Sequence, residues 1–111
     1  MLEDVKNDRL YKDLCLTAQK VMPKGGVVFL YGSRARGTAK ADSDWDLLLL
    51  VDKQNVEDAD FANIAYPFIL KGWSYGADVS PQLYTYKEWK ERMITPYYQN
   101  VERDKLVMYE S

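Results

Sequence analysis

The sequence predicts a mixed α/β (α+β) domain, a small twisted sheet with helices packed on one side. Three observations carry this. Segments whose apolar residues recur at helical spacing alternate with short β-branched and aromatic runs. The run Leu47-Leu48-Leu49-Leu50-Val51 is apolar at every position, as a strand covered on both faces requires. The chain of 111 residues, 47% hydrophobic, is enough for one modest core, and neither a linker nor a repeat divides it. Residues 1–111 are therefore expected to form a single domain.

The first element is a helix over about residues 3–22, with Leu10, Leu14, Ala18 and Val21 near one face and Asp4 or Asn7 as the cap. Pro23 and the Gly25-Gly26 pair end it. Cys15 lies inside this pattern and reads as a small, half-buried apolar residue. Val27-Val28-Phe29-Leu30-Tyr31 is an inner strand, set between glycines. Residues 33–42 form a polar, basic loop with room for one short helix, and the second strand runs from Asp44 to Val51. Helical spacing returns from Glu57 through Phe61, Ile64, Ala65 and Phe68, with Pro67 as a kink or a new start and Gly72 as the stop. A third strand is expected within residues 73–81, with Tyr75, Ala77 and Val79 on one face and Asp78 on the other. Residues 83–92 read as a turn and a helix, Thr95-Pro96 as a helix start, and residues 106–109 as a last strand or helical turn.

Composition removes several kinds of chemistry. There is no histidine, which excludes imidazole acid–base catalysis and histidine-dependent serine hydrolysis. Any metal must be held mainly by carboxylates, which suits magnesium or manganese better than zinc. Fifteen basic against seventeen acidic residues give a net charge of -2, without the basic excess of a protein that lives on nucleic acid. A lone cysteine cannot form an internal disulfide, so an intracellular, cytoplasmic setting is expected. No apolar run reaches membrane-spanning length, and no basic-then-apolar leader opens the chain.

The residues that carry chemistry stand near strand ends. Gly32-Ser33 follows the first strand directly, and Asp44-Trp45-Asp46 opens the second. Alternation puts Asp44 and Asp46 on one face and Trp45, a packing residue, on the other. If the third strand neighbours the second, Asp78 completes a group of three carboxylates. Such a group repels itself unless a cation joins it, and two divalent ions between shared carboxylates suit in-line displacement at phosphorus. Gly32 allows a phosphate to approach the backbone, the following amides can form an anion nest, and Ser33 adds a hydroxyl donor. Arg34, Arg36 and Lys40 place positive charge on the same loop. Asp46 sits one residue before a fully apolar run, where an unpaired carboxylate is costly. Asp42 reads as a solvated residue, and Ser43 as a turn residue that bonds the backbone.

The stretch Gly32-Ser33-Arg34-Ala35-Arg36-Gly37, continued by Ser43-Asp44-Trp45-Asp46-Leu47, closely resembles the signature of the DNA polymerase β-like nucleotidyltransferases, above all their minimal prokaryotic branch. The resemblance implies a polymerase β-like core. It also implies a triphosphate bound at Gly32 and Ser33, and Mg²⁺ or Mn²⁺ held by Asp44, Asp46 and, on a later strand, Asp78. It further implies a small helical partner protein, since some members of this branch are similar to antitoxins that transfer AMP to a tyrosine of a partner toxin.

The leading expectation is metal-dependent transfer of a nucleoside monophosphate, AMP first, from an NTP to a hydroxyl acceptor, with pyrophosphate released. Asp44, Asp46 and Asp78 would be catalytic, with Gly32, Ser33, Arg34 and Arg36 on the nucleotide. The carboxylate nearest the acceptor, Asp78, would take its proton. A chain this small has little material for a second deep pocket, so a macromolecular acceptor is favoured over a metabolite unless a homo-oligomer builds the missing wall. The alternative is an antitoxin-like binding module that acts without catalysis. Its motivation is the aromatic crowding of Tyr84, Tyr86, Trp89, Tyr97 and Tyr98, although packing is the favoured role for each one singly. Transfer to RNA is disfavoured by the acidity, with a basic patch at Arg34, Arg36 and Lys40 as its only support.

Overall fold

The structure, a computed structural model, describes residues 2–111, with side chains from residue 5 onward. Two helices, α1 (Leu2–Asn7) and α2 (Arg9–Val21), stand where one was expected. Asp8 makes the break. Its carboxylate accepts from the amides of Leu10 at 2.8 Å and Tyr11 at 3.4 Å, and a capping residue must leave helical backbone to do so. Asn7 ends α1 instead of capping it, and Asp4 lies outside the described side chains. Met22 closes α2 just before Pro23, as expected.

Strand β1 (Val27–Tyr31) leads through Gly32 into α3 (Ser33–Arg36), and β2 (Trp45–Val51) follows the loop. Glu57 and Asp60 form a reciprocal cap on the short α4 (Asp58–Asp60). The chain then widens into one π turn (Phe61–Ala65) and continues as α5 (Tyr66–Trp73). Pro67 has no N–H to offer and is accommodated in the first turn of α5, so it starts a segment instead of breaking one. Gly72 does not stop α5. It is buried, and a Cβ there would stand 2.5 Å from Val79 Cγ2 and 3.0 Å from the Ala77 carbonyl, so this glycine lets the helix lie directly on the next strand.

That strand, β3 (Val79–Thr85), begins later than the sequence pattern suggests. Tyr75 and Ala77 belong to the turn after α5, where Gly76 takes φ +69°. Pro81 lies inside β3, which is tolerable because β3 is an edge strand. Thr85 and Glu88 cap α6 (Tyr86–Lys90) reciprocally at 3.0 and 2.9 Å. Thr95 caps α7 (Pro96–Asp104), and β4 (Leu106–Glu110) is the last strand.

The sheet order is β3-β2-β1-β4. Strand β1 runs antiparallel to β2 and β4, while β2 and β3 are parallel, joined by the helical crossover that such a pair requires. One face, bearing Val28, Leu30, Leu47, Leu49 and Val51, packs on Leu10, Leu14 and Ala18 of α2 and on Ile64, Ala65 and Phe68. This is the expected mixed sheet with its main helical layer on one side. The opposite face has a smaller cover: Val27, Phe29, Leu48 and Leu50 meet Trp89 of α6 and Val101 of α7. At the Asp46 end of β2, where Asp46 is half-buried, lies the candidate site. Among the described residues, no helix is long and apolar enough to cross a membrane.

Candidate active site

Strands β1 and β2 bring the two halves of the motif together across one antiparallel rung. Tyr31, the last residue of β1, is paired with Asp46, and directly opposed residues share a face. Asp46 therefore projects on the thinly covered side, with Leu48 and Leu50, while Trp45 and Leu47 are buried on the other side. Trp45 packs, as its place in the alternation predicts.

Gly32 turns the chain at φ +76°, ψ -158°, a backbone conformation essentially restricted to glycine. Its missing side chain has a second consequence: a Cβ there would overlap Asp46 Oδ2. The carboxylate thus lies directly on the glycine backbone. The Gly32 carbonyl accepts from Ala35 N at 3.1 Å and Arg36 N at 3.0 Å, which starts α3 immediately. The amides of Ser33 and Arg34, first in that helix, have no partner within it. Two helix-start amides thus stand on the turn that the Asp46 carboxylate packs against.

The charge at this corner is mixed. Burial, then the negative charge of Asp44, holds the Asp46 carboxyl above the ordinary aspartate range, and Arg36 opposes this in part. The two carboxylates are close enough to feel one another, which is the electrostatic condition that a cation relieves. Their hard oxygens fit Mg²⁺ or Mn²⁺, an ion commonly held by one or two carboxylates and completed by substrate phosphates.

The third carboxylate meets the pair from the Asp44 side. Extending the β2–β3 register, in which Trp45 faces Val79 and Asp46 faces Ser80, sets Asp78 beside Asp44 and not beside Asp46. Asp78 is exposed and precedes β3, and its carbonyl accepts from Trp45 N at 2.9 Å. Among the described residues, no group of three His, Cys, Asp or Glu side chains is arranged to hold a metal ion. The expected third carboxylate therefore borders the pair at Asp44, one register step away from Asp46.

The loop arginines have protein partners of their own. Arg34 donates to the carbonyls of Ser43 at 2.9 Å and Ala41 at 3.2 Å and stacks 4.6 Å over the Trp45 ring, so it braces the loop. Arg36 pairs with Asp104 of α7 at 2.7 Å, yet its charge still reaches Asp46. Ser43 accepts from Lys40 N at 2.8 Å, the turn role expected of it.

The site has a further neighbour that the motif does not single out. The Tyr31 hydroxyl lies 3.0 Å from that of Tyr97, which α7 brings to the open face. Burial, then the Tyr97 hydroxyl, moves the Tyr31 phenol well above the ordinary tyrosine range, and burial raises Tyr97 as well. Both phenols are neutral at physiological pH. Tyr84, Trp89 and Tyr98 do pack: Trp89 has ring centroids 5.6 Å from Tyr84 and 4.8 Å from Tyr98, and its Nε1 donates to Glu102 at 2.9 Å. No sequence signal separates Tyr97 from these, because its partner Tyr31 lies sixty-six positions away.

Known proteins share this fold. The family model described as a nucleotidyltransferase domain matches residues 14–107. Among solved structures, a toxin-antitoxin with AMP-PNP superposes with a TM-score of 0.65 at 17% identity, covering 91% of this chain and 73% of that one. The toxin-antitoxin MntA-HpeT, in a doubly Asp-to-Glu substituted form, gives 0.62 at 13% identity, covering 91% and 73%. A putative nucleotidyltransferase from Sulfolobus solfataricus gives 0.59 at 22% identity, covering 92% and 78%. No curated protein matches. At these identities the solved structures establish the fold, a polymerase β-like nucleotidyltransferase core, while the family match spans most of the chain: it belongs to the nucleotidyltransferase domain family.

Proposed function

We propose that this chain, as one domain over residues 1–111, binds a nucleoside triphosphate, ATP first, as its magnesium complex and acts on a protein partner. The observation that carries this reading is the packing of Asp46 directly on the positive-φ Gly32, which joins the glycine turn to a carboxylate that feels Asp44. Gly32 and Ser33 would take the phosphates through backbone amides and a hydroxyl. Asp44 and Asp46 would hold the cation, which when bound neutralises phosphate charge and activates an attacking hydroxyl. Arg36, held by Asp104, would supply positive charge beside the phosphates. The protein partner is suggested by the toxin-antitoxin structures that share the fold.

Once the nucleotide is bound, two outcomes compete. An antitoxin-like module that engages its partner without catalysis is favoured because, among the described residues, no group of three such side chains is arranged to hold a metal ion. Nucleotidyl transfer is favoured by the Asp-X-Asp and Gly-Ser elements meeting on one rung. In that reaction the partner's hydroxyl oxygen bonds the α-phosphorus and the bond to the β-phosphate oxygen breaks. Pyrophosphate leaves, and the proton passes to a rim carboxylate, for which we assign Asp78. Intact-mass measurement of the co-purified partner after incubation with ATP and Mg²⁺ decides between them. One added nucleoside monophosphate that disappears in Asp44→Asn or Asp46→Asn establishes transfer. A tightly bound but unmodified partner establishes the binding module. A chain that binds neither MgATP nor a partner refutes both.

A further inference from the structure

The Tyr31–Tyr97 pair is built into the candidate site from two directions. Tyr31 lies on the rung with Asp46, immediately before Gly32. Tyr97 comes from the first turn of α7, which Pro96 and the Thr95 cap fix in place. Trp89 backs its ring edge-on at 5.6 Å, yet the Tyr97 residue is 36% exposed, so one side of it faces open space. The two hydroxyls, 3.0 Å apart, own two protons, and their mutual bond uses one. No other described side chain or backbone group accepts the second at hydrogen-bond distance. A second link ties the same helix to the same loop: Asp104, in the last turn of α7, holds Arg36 at 2.7 Å. Helix α7 therefore grips the residues on both sides of the Gly32-Ser33 turn, Tyr31 before it and Arg36 after it.

We propose that Tyr97, through the spare proton it shares with Tyr31, is a positioning residue for the bound triphosphate, donating a hydrogen bond to a phosphate oxygen next to Asp46. A neutral donor suits this place. Carboxylates that must hold a cation are not neutralised by it, and it binds an anionic oxygen without a competing ion pair. Its rigidity matters too, because a donor fixed before binding loses little conformational freedom when the ligand arrives. The proposal rests on the reading of the Gly32–Asp46 corner as an NTP site.

The test uses the full chain with Mg²⁺ and two probes, ATP and inorganic tripolyphosphate, titrated calorimetrically into the wild type, Tyr97→Phe and Tyr31→Phe. Removing a donor to a charged oxygen is expected to weaken both probes about tenfold in Tyr97→Phe. Unfolding temperature without ligand should stay close to the wild type, because the packed ring is retained. Tyr31→Phe leaves the Tyr97 proton free to donate and removes only the hydroxyl that orients it, so it should weaken both probes less than Tyr97→Phe. Wild-type affinity for both probes in Tyr97→Phe overturns the proposal while leaving the NTP site intact. Weakening of ATP alone also overturns it, because the contact would then be to the nucleoside. A wild-type chain that binds neither probe fails at the earlier step and removes the NTP reading itself.

Discussion

Replacing Gly32 by alanine separates the role of this turn from ordinary loop tolerance. The position holds φ +76°, ψ -158°, and a side chain forced into that region costs about 1–3 kcal/mol. Alanine recovers about 0.4–1 kcal/mol by restricting the unfolded chain. The net loss is about 1–2 kcal/mol, a fall of roughly 4–8 °C in the unfolding temperature of a domain this size. The new Cβ would also overlap Asp46 Oδ2, so the carboxylate must swing away from the place where it pairs with Asp44. MgATP affinity should then fall by more than tenfold, beyond what destabilisation alone produces in a chain that is still folded. Gly76→Ala is the matched control: its φ is +69°, but a Cβ there meets nothing within 4 Å. It should lose stability and keep MgATP affinity. Calorimetric titration together with thermal unfolding reads both quantities. If Gly32→Ala melts and binds like the wild type, the glycine is not the support of Asp46, and the site is misread.

Asp46→Asn should raise the unfolding temperature of the ligand-free chain at neutral pH. The folded state holds this carboxyl above its ordinary pKa, so ionising it costs stability that an amide does not lose. The advantage should vanish in scans at a pH below the ordinary aspartate range, where both side chains are neutral. By the same sign, Mg²⁺-dependent nucleotide binding should weaken as pH falls and begin to do so above the ordinary aspartate range; a titration series from neutral to acidic pH checks this. Phe68→Ala, at a fully buried position in the larger cluster, should cost about 3–5 kcal/mol, seen as a lower urea midpoint.

The parts of the molecule that depend on local pattern were legible in the sequence. The all-apolar run of β2, the aromatic β1 and the Thr95-Pro96 start of α7 each appear where their residues predict them. The Gly-Ser and Asp-X-Asp elements were legible as chemistry because type and spacing agree together. What the pattern missed are long-range effects. Apolar periodicity through Asp8 continues, and only its carboxylate on the following amides shows that the helix stops. Gly72 reads as a terminator in sequence and is a contact point in space, made so by Val79. Asp78 sits between apolar neighbours, which suggests a strand interior, but the turn at Gly76 delays the strand and leaves the carboxylate exposed beside Asp44. Arg34 and Arg36 look equivalent in the loop, yet Trp45 and two carbonyls take the first and Asp104 the second. The Tyr31–Tyr97 link joins the first strand to the last helix and has no local signature.

The NTP site at the Gly32–Asp46 corner is tested most directly by calorimetric titration of ATP into the wild type and an Asp44→Asn/Asp46→Asn variant, each with Mg²⁺ and with a chelator. Two carboxylates beside a glycine turn should make wild-type binding depend on Mg²⁺, and the double variant, still folded, should lose that dependence because neutral amides cannot offset the ion's charge. Equal wild-type affinity with Mg²⁺ and with chelator, or an Mg²⁺ dependence that survives in the double variant, would contradict the assignment of these carboxylates to the cation.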